Sequence, residues 1–122
     1  MIREARPGDE EGLFALVGML GHAFPPVRDA FDVTIASYFA GEQPSVVLYV
    51  SEGTDGALQG YALTTIVPLL ATNGPSAQLQ EIVVDDSARG HDYGTKLVRG
   101  VRIPPRRRGV TQIGRASCRE RV

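Results

Sequence analysis

Between Glu81 and Val98 the chain reads EIVVDDSARGHDYGTKLV. An apolar run ends in two aspartates, and then Gly90 and Gly94 sit in a charged loop that opens onto a helix-like stretch. The first N–H groups of a helix have no partner within the helix, and the helix dipole places partial positive charge there. An anion such as a phosphate fits that position when no side chain keeps it from the backbone. Glycine removes the Cβ and permits left-handed angles, so that successive N–H groups converge into a nest. Arg89 adds a permanent charge and a bidentate donor. These residues can therefore form a pyrophosphate site at the C-terminal end of a strand. On the glycines alone, a tight turn between strand and helix is the better account.

Other phosphate loops fit this stretch poorly. There is no G-x-x-x-x-G-K-[ST], since Lys96 follows Thr95, and a dinucleotide fingerprint would follow a first strand rather than a fourth. The two histidines, His22 and His91, have no cysteine or paired carboxylates nearby, which argues against a zinc site. His91 could add charge to the loop at acidic pH; a solvated loop residue is the plainer reading.

The elements that must position these groups follow from periodicity. Ile2 to Ala5 can form a first strand, broken by RPGD. Asp9 is placed as an N-cap, and Leu13, Leu16, Val17 and Leu20 predict a helix over 10–20 closed by Gly21. A second helix enters through Pro25 and Pro26, carries Phe31, Ile35 and Phe39 on one face, and stops at Gly41. Phe31, Phe39 and Tyr61 read as core. VVLYVSE, the turn GTDG and LQGYALTTIVPLL predict a β-hairpin. AQLQEIVV is the next strand, apolar enough from Leu79 to Val84 to be covered on both faces. GTKLVRGVRI reads as a helix until Pro104 and Pro105 end it, and RGVTQI begins one more strand. The order β-α-α-β-β-β-α-β is a mixed α/β arrangement.

Composition bounds the rest. The 122 residues make one domain, and 43% hydrophobic with 22% charged is ordinary for a soluble globular protein. No apolar run approaches the roughly 18 residues needed to span a bilayer, and no signal-peptide pattern opens the chain. The single cysteine, Cys118, rules out an internal disulfide and makes a reducing cytoplasm the default. The net charge of −1 hides a division. Residues 1–101 hold six Lys/Arg against thirteen Asp/Glu, whereas 102–122 hold seven Arg against Glu120 alone. An arginine tail can grip nucleic acid, but it lacks the interleaved aromatics of a stacking platform and any recognition-helix pattern. Neither a nucleic acid nor a membrane is expected as partner.

LQEIVVDDSARGHDYGTKLV resembles motif A of the GNAT-type N-acetyltransferases, a central strand ending in V-x-x-x-x-[RQ]-x-x-G-x-[GA] that continues as a helix. IREARPGDEEGLFAL is similar to the opening of many such domains, and the element order matches their fold. The resemblance covers roughly residues 1–101, and at most to Gln112. It implies a GNAT-like mixed α+β fold and transfer of an acetyl group from acetyl-CoA to a primary amine of a small molecule or protein by direct attack. It also implies that backbone groups of Ile82, Val83 and Val84 bond the pantetheine arm. Backbone N–H groups of Gly90, His91, Asp92, Tyr93, Gly94 and Thr95 would cradle the pyrophosphate, with Arg89 shaping the loop. The Thr95 hydroxyl could donate to a phosphate or serve as an internal cap. Asp92 departs from the pattern, standing where its internal glycine belongs, and its charge would repel a pyrophosphate.

Glu81 is the candidate catalytic base or amine-recruiting carboxylate, acting through water, on the pattern of related enzymes. The other reading is a carboxylate at a strand margin paired to an arginine. Gln80 should point to the opposite face of the strand, and would contact substrate only if that facing were inverted. His22, Phe24 and Tyr38, around the first two helices, are further candidate substrate contacts by family position; His22 also fits a plain surface loop. A homodimer is compatible with the family. An acyl-CoA-binding or degenerate domain without catalysis is the alternative to an enzyme.

The terminal IGRASCRERV lacks strand character and hydrophobic periodicity, and it resembles the translation of a common sequencing adapter. Residues 1–112 accordingly read as a C-terminally truncated N-acetyltransferase domain and 113–122 as a non-native tail. Members of the family continue with a full fifth strand, a fourth helix bearing the tyrosine that protonates the leaving thiolate, and two more strands. Without them, the strand through Val84 would present an unpaired hydrophobic edge.

Overall fold

The computed structural model describes residues 1–20, 25–70, 74–86, 93–100, 112–114 and 119–121. Strand β1 is Ile2–Glu4, helix α1 is Glu10–Val17, and a 3-10 turn follows at Gly18–Leu20. Helix α2 is Arg28–Phe39, and the strands β2, Val46–Glu52, β3, Leu58–Leu69, and β4, Gly74–Val84, come next. Helix α3 is Tyr93–Gly100, and two three-residue strands follow, β5 at Gln112–Gly114 and β6 at Arg119–Arg121. The sheet runs β1-β2-β3-β4-β5 with β6 also on β4. Pairing is antiparallel from β1 to β4 and parallel from β4 to β5 and β6. This is the mixed α/β sheet that the sequence predicts.

The hairpin forms because Gly53–Gly56 supplies turn chemistry. Gly56 adopts φ +85°, a left-handed angle that glycine reaches without strain. Alternation along β2 and β3 then divides two apolar layers. Leu48, Val50 and Tyr61 pack with Leu13 and Leu16 of α1, Ile35 of α2 and Val83 of β4. Ala62, Leu79 and Ile82 pack with Leu97 of α3 on the other face, beside Ile2 and Tyr49. β4 is thus covered on both sides, as its near-continuous apolar run predicts. At Gly60 there is no room for a side chain: a Cβ there would lie 2.6 Å from the Val83 carbonyl oxygen of β4 and 3.5 Å from the Leu97 side chain of α3.

Four sequence expectations are revised. Helix α1 ends at Val17 rather than Leu20, the last turn tightening to 3-10. Asp9 holds the N-cap position, but its carboxylate makes no cap bond; it accepts from both terminal nitrogens of Arg3, at 2.8 and 2.9 Å, and from the Arg6 N–H. A part-buried guanidinium fork outcompetes a single helix N–H for a carboxylate. The third and fourth revisions concern the tail and the margin of β4. Arg119–Arg121 is extended and pairs with Glu81–Val83, and Gln112–Gly114 pairs with Ser76–Gln78. Ladder bonds use backbone groups alone, so a segment without apolar periodicity can still occupy an open edge.

Candidate active site

Glu81 stands on β4 where that strand is irregular. Leu63 of β3 pairs with Glu81 and Thr64 with Leu79, which leaves Gln80 as an extra residue, a β-bulge. The bulge changes which way the strand faces. Leu79 and Ile82 both pack under α3, so the two residues between them are directed to the face of α1 and α2. Gln80 donates to the Thr65 hydroxyl at 3.0 Å, and Thr65 shares the face of Leu63 by strand alternation. The expectation that Gln80 and Glu81 face opposite ways is therefore corrected: strict period-2 alternation does not hold through a bulge.

Glu81 opens onto a cleft of about 280 Å³ between α1, α2 and the sheet. Its walls include Leu13, Val17, Phe31, Ile35, Tyr38 and Leu63. The Tyr61 hydroxyl, on a side chain 2% exposed, donates to Glu81 Oε1 at 2.7 Å. Among the described residues Tyr61 is the one side chain that donates to this carboxylate. Burial, reinforced by the Glu81 charge and hydrogen bond, pushes the Tyr61 phenol far above its ordinary range, so it stays a donor. The Tyr38 phenol is also raised, chiefly by burial and secondly by the Glu81 charge. The site thus joins one anchored carboxylate to two protonated phenols at an apolar wall. It can hold a cationic amine, or take a proton from one through water.

Sequence reasoning placed Tyr61 in the core, where it is, and missed its hydroxyl. The signal that could have found it is register: Tyr61 pairs with Val83 and Leu63 with Glu81, so Tyr61 and Glu81 are diagonal neighbours on one face. Tyr38, a candidate substrate contact by family position, lines the cleft. His22, Phe24, Arg89, Gly90, His91 and Asp92 lie outside the described residues. Tyr93, Gly94 and Thr95 form the first turn of α3, at the N-terminal end where an anion would meet backbone N–H groups.

The backbone of Ile82–Val84 has one constraint. β3 holds one edge of β4, pairing with Ile82, Val83 and Val84, and β6 lies along the other at Glu81, Ile82 and Val83. Any extended ligand that pairs with this strand must use the edge that β6 takes.

Comparisons with known proteins agree with this architecture. No family model matches the sequence, and no curated protein matches it. A solved structure from Agrobacterium tumefaciens, provisionally assigned as an acetyltransferase, is 30% identical over 81% of this chain and 68% of its own, with TM-score 0.66. A GNAT family acetyltransferase from Staphylococcus aureus has TM-score 0.74 at 17% identity, over 96% of this chain and 85% of its own. The structure of AAC(6')-Iy with the bisubstrate analogue CoA-S-monomethyl-acetylneamine has TM-score 0.73 at 18% identity, over 100% and 78%. The fold is that of the acetyltransferases, a mixed sheet with two helices on one face and a third leading out of the central strand. The chain belongs to the GNAT-type N-acetyltransferase superfamily.

Proposed function

We propose that the chain is an acetyl-CoA-dependent N-acetyltransferase acting on a primary amine. The observation that carries this reading is Glu81, anchored by Tyr61 on the central strand at the wall of a cleft open to an acceptor. Glu81 recruits the ammonium and, through water, takes its proton. The amine nitrogen then attacks the thioester carbonyl carbon, the C–S bond breaks, and the second proton lost by nitrogen as the amide forms passes to the departing sulfur, so that coenzyme A leaves as the thiol. The phenols beside the carboxylate stay protonated and do not themselves accept the proton.

For the cosubstrate, the N-terminal turn of α3 at Tyr93–Thr95 suits a pyrophosphate, because its N–H groups follow directly on the central strand. Arg89 to Asp92, by family motif, complete that cradle, and the backbone of Ile82–Val84 would take the pantetheine arm. The acetyltransferase unit is residues 1–112, with 113–122 foreign to it. A second reading, acyl-CoA binding without turnover, draws on Asp92 standing where the motif calls for glycine.

Thiol release from acetyl-CoA in the presence of a panel of primary amines tests the reading. Glu81→Gln should lower kcat by about a hundredfold, within the range for a lost general base, while leaving the affinity for acetyl-CoA within twofold. Equal turnover by both proteins would remove Glu81 from the chemistry.

A further inference from the structure

The walls of the Glu81 cleft say what kind of amine fits. Among the described residues the lining carries no lysine or arginine; its one carboxylate is Glu81, and Thr34, Tyr38 and Tyr61 supply the remaining polar side chains. The other nine lining residues are apolar, including Val17, Val27, Ala30, Phe31, Ile35 and Leu63. A substrate rich in hydroxyls would leave buried polar groups unpaired against such walls, and that loss is large. A phosphate or carboxylate on the substrate would meet Glu81 with no cation among the described lining residues to offset it.

Size narrows the choice further. An apolar cavity of about 150 Å³ holds a benzene ring. The present cleft, at about 280 Å³, has room for a ring and a short alkylammonium arm. Glu81 and Tyr61 line the cleft from the sheet, and Ala30, Phe31 and Ile35 line it from α2, with Thr34 and Tyr38 of that helix as its polar members. A molecule with one positive end and one apolar end is complementary to that polarity.

We propose that the acceptor is a compact, singly charged arylalkyl- or alkylamine, its ammonium held by Glu81 and its hydrocarbon body by α1, α2 and β3. This rests on the acetyltransferase reading and specifies its acceptor. Polyhydroxylated and anionic amines are excluded by the same walls.

The test uses the 122-residue chain and four titrants: 2-phenylethylamine, 2-phenylethanol, glucosamine 6-phosphate and acetyl-CoA. 2-Phenylethylamine should bind saturably, at least tenfold more tightly than 2-phenylethanol, and glucosamine 6-phosphate should not saturate. Glu81→Gln should erase the preference for amine over alcohol. Ala30→Phe, at an exposed position of α2 that lines the cleft, should fill the apolar end and weaken 2-phenylethylamine at least tenfold without altering acetyl-CoA binding. Equal binding of amine and alcohol, tighter binding of glucosamine 6-phosphate, or indifference to Ala30→Phe would each overturn the proposal. Acetyl-CoA binding without 2-phenylethylamine binding overturns it too, and leaves the transferase reading standing. Amine binding without acetyl-CoA binding supports the pocket and sinks the transferase reading.

Discussion

The hydroxyl of Tyr61 on β3 donates to Oε1 of Glu81 on β4 over 2.7 Å, across a separation of 20 residues in sequence. The bond anchors the carboxylate beside the bulge and leaves it a neighbour of the cleft. A hydrogen bond to a charged group contributes about 1.5–3 kcal/mol. Tyr61→Phe keeps the ring and its packing, so the fold should survive while kcat falls roughly tenfold. On a Glu81→Gln background the same substitution should cost almost nothing further, since both changes remove one unit. Steady-state kinetics of the two single variants and the double variant decide this; additive losses would mean that Tyr61 acts only through packing.

Arg3 holds the first strand, α1 and the β2 terminus together. Its Nε donates to Glu52 Oε1 at 2.7 Å and its terminal nitrogens to Asp9, and its side chain is only 14% exposed. Removing one partner of this part-buried pair leaves the Asp9 carboxylate uncompensated, so Arg3→Met should cost about 2 kcal/mol, read from urea unfolding. The Arg3 guanidinium holds the Asp9 carboxyl below the ordinary carboxylate range, opposed by burial and aided by the Arg6 N–H. A depressed carboxylate stabilises fully above its unfolded-state range and is lost as pH falls through its folded value. Stability from this pair should therefore persist through mildly acidic pH and disappear only below the usual carboxylate range. Arg3→Met should flatten that acid limb.

Gly60 sits on β3 against the backbone of β4. A Cβ would stand 2.6 Å from the Val83 carbonyl oxygen, and backbone in the middle of a sheet yields little. Gly60→Ala should destabilise by about 2 kcal/mol through overpacking, whereas Gly18→Ala, with open space around its Cβ, should not destabilise. Thermal melts of both proteins check the contrast.

Asp92 stands where the motif of the superfamily has glycine. Two like charges about 4 Å apart repel by about 1 kcal/mol in water, so Asp92→Gly should tighten acetyl-CoA roughly fivefold. Isothermal titration at low and high salt measures it, and the gain should shrink with salt.

Truncation after Gly114 removes β6 from the outer edge of Glu81–Val83. A ligand competing for that edge gains by the inverse of the fraction of time it is open; acetyl-CoA should bind at least about threefold more tightly to residues 1–114. Weaker binding would show that β6 supports the site instead of covering it.

Much of this was legible in the sequence because the signals are local. Leu13, Leu16 and Val17 repeat at helical spacing, and VVLYVSE-GTDG-LQGYAL carries strand and turn chemistry within a few residues of each other. The passage from Ile82–Val84 into the glycine-bearing loop and α3 is likewise one continuous stretch, which is why the superfamily showed there. Asp9 was legible as a helix-start residue and illegible as the partner of Arg3, because its competing donor comes from another element.

What the sequence by itself determined is the order of the elements, their periods and the candidate carboxylate, since each depends on residues that are neighbours in the chain. Tertiary structure alone decided that Gln80 bulges, that Glu81 turns to the helices, that Tyr61 reaches it, and that a tail without strand character lies along β4. Those features are set by register between distant segments, and a shift of one residue reverses every face of a strand.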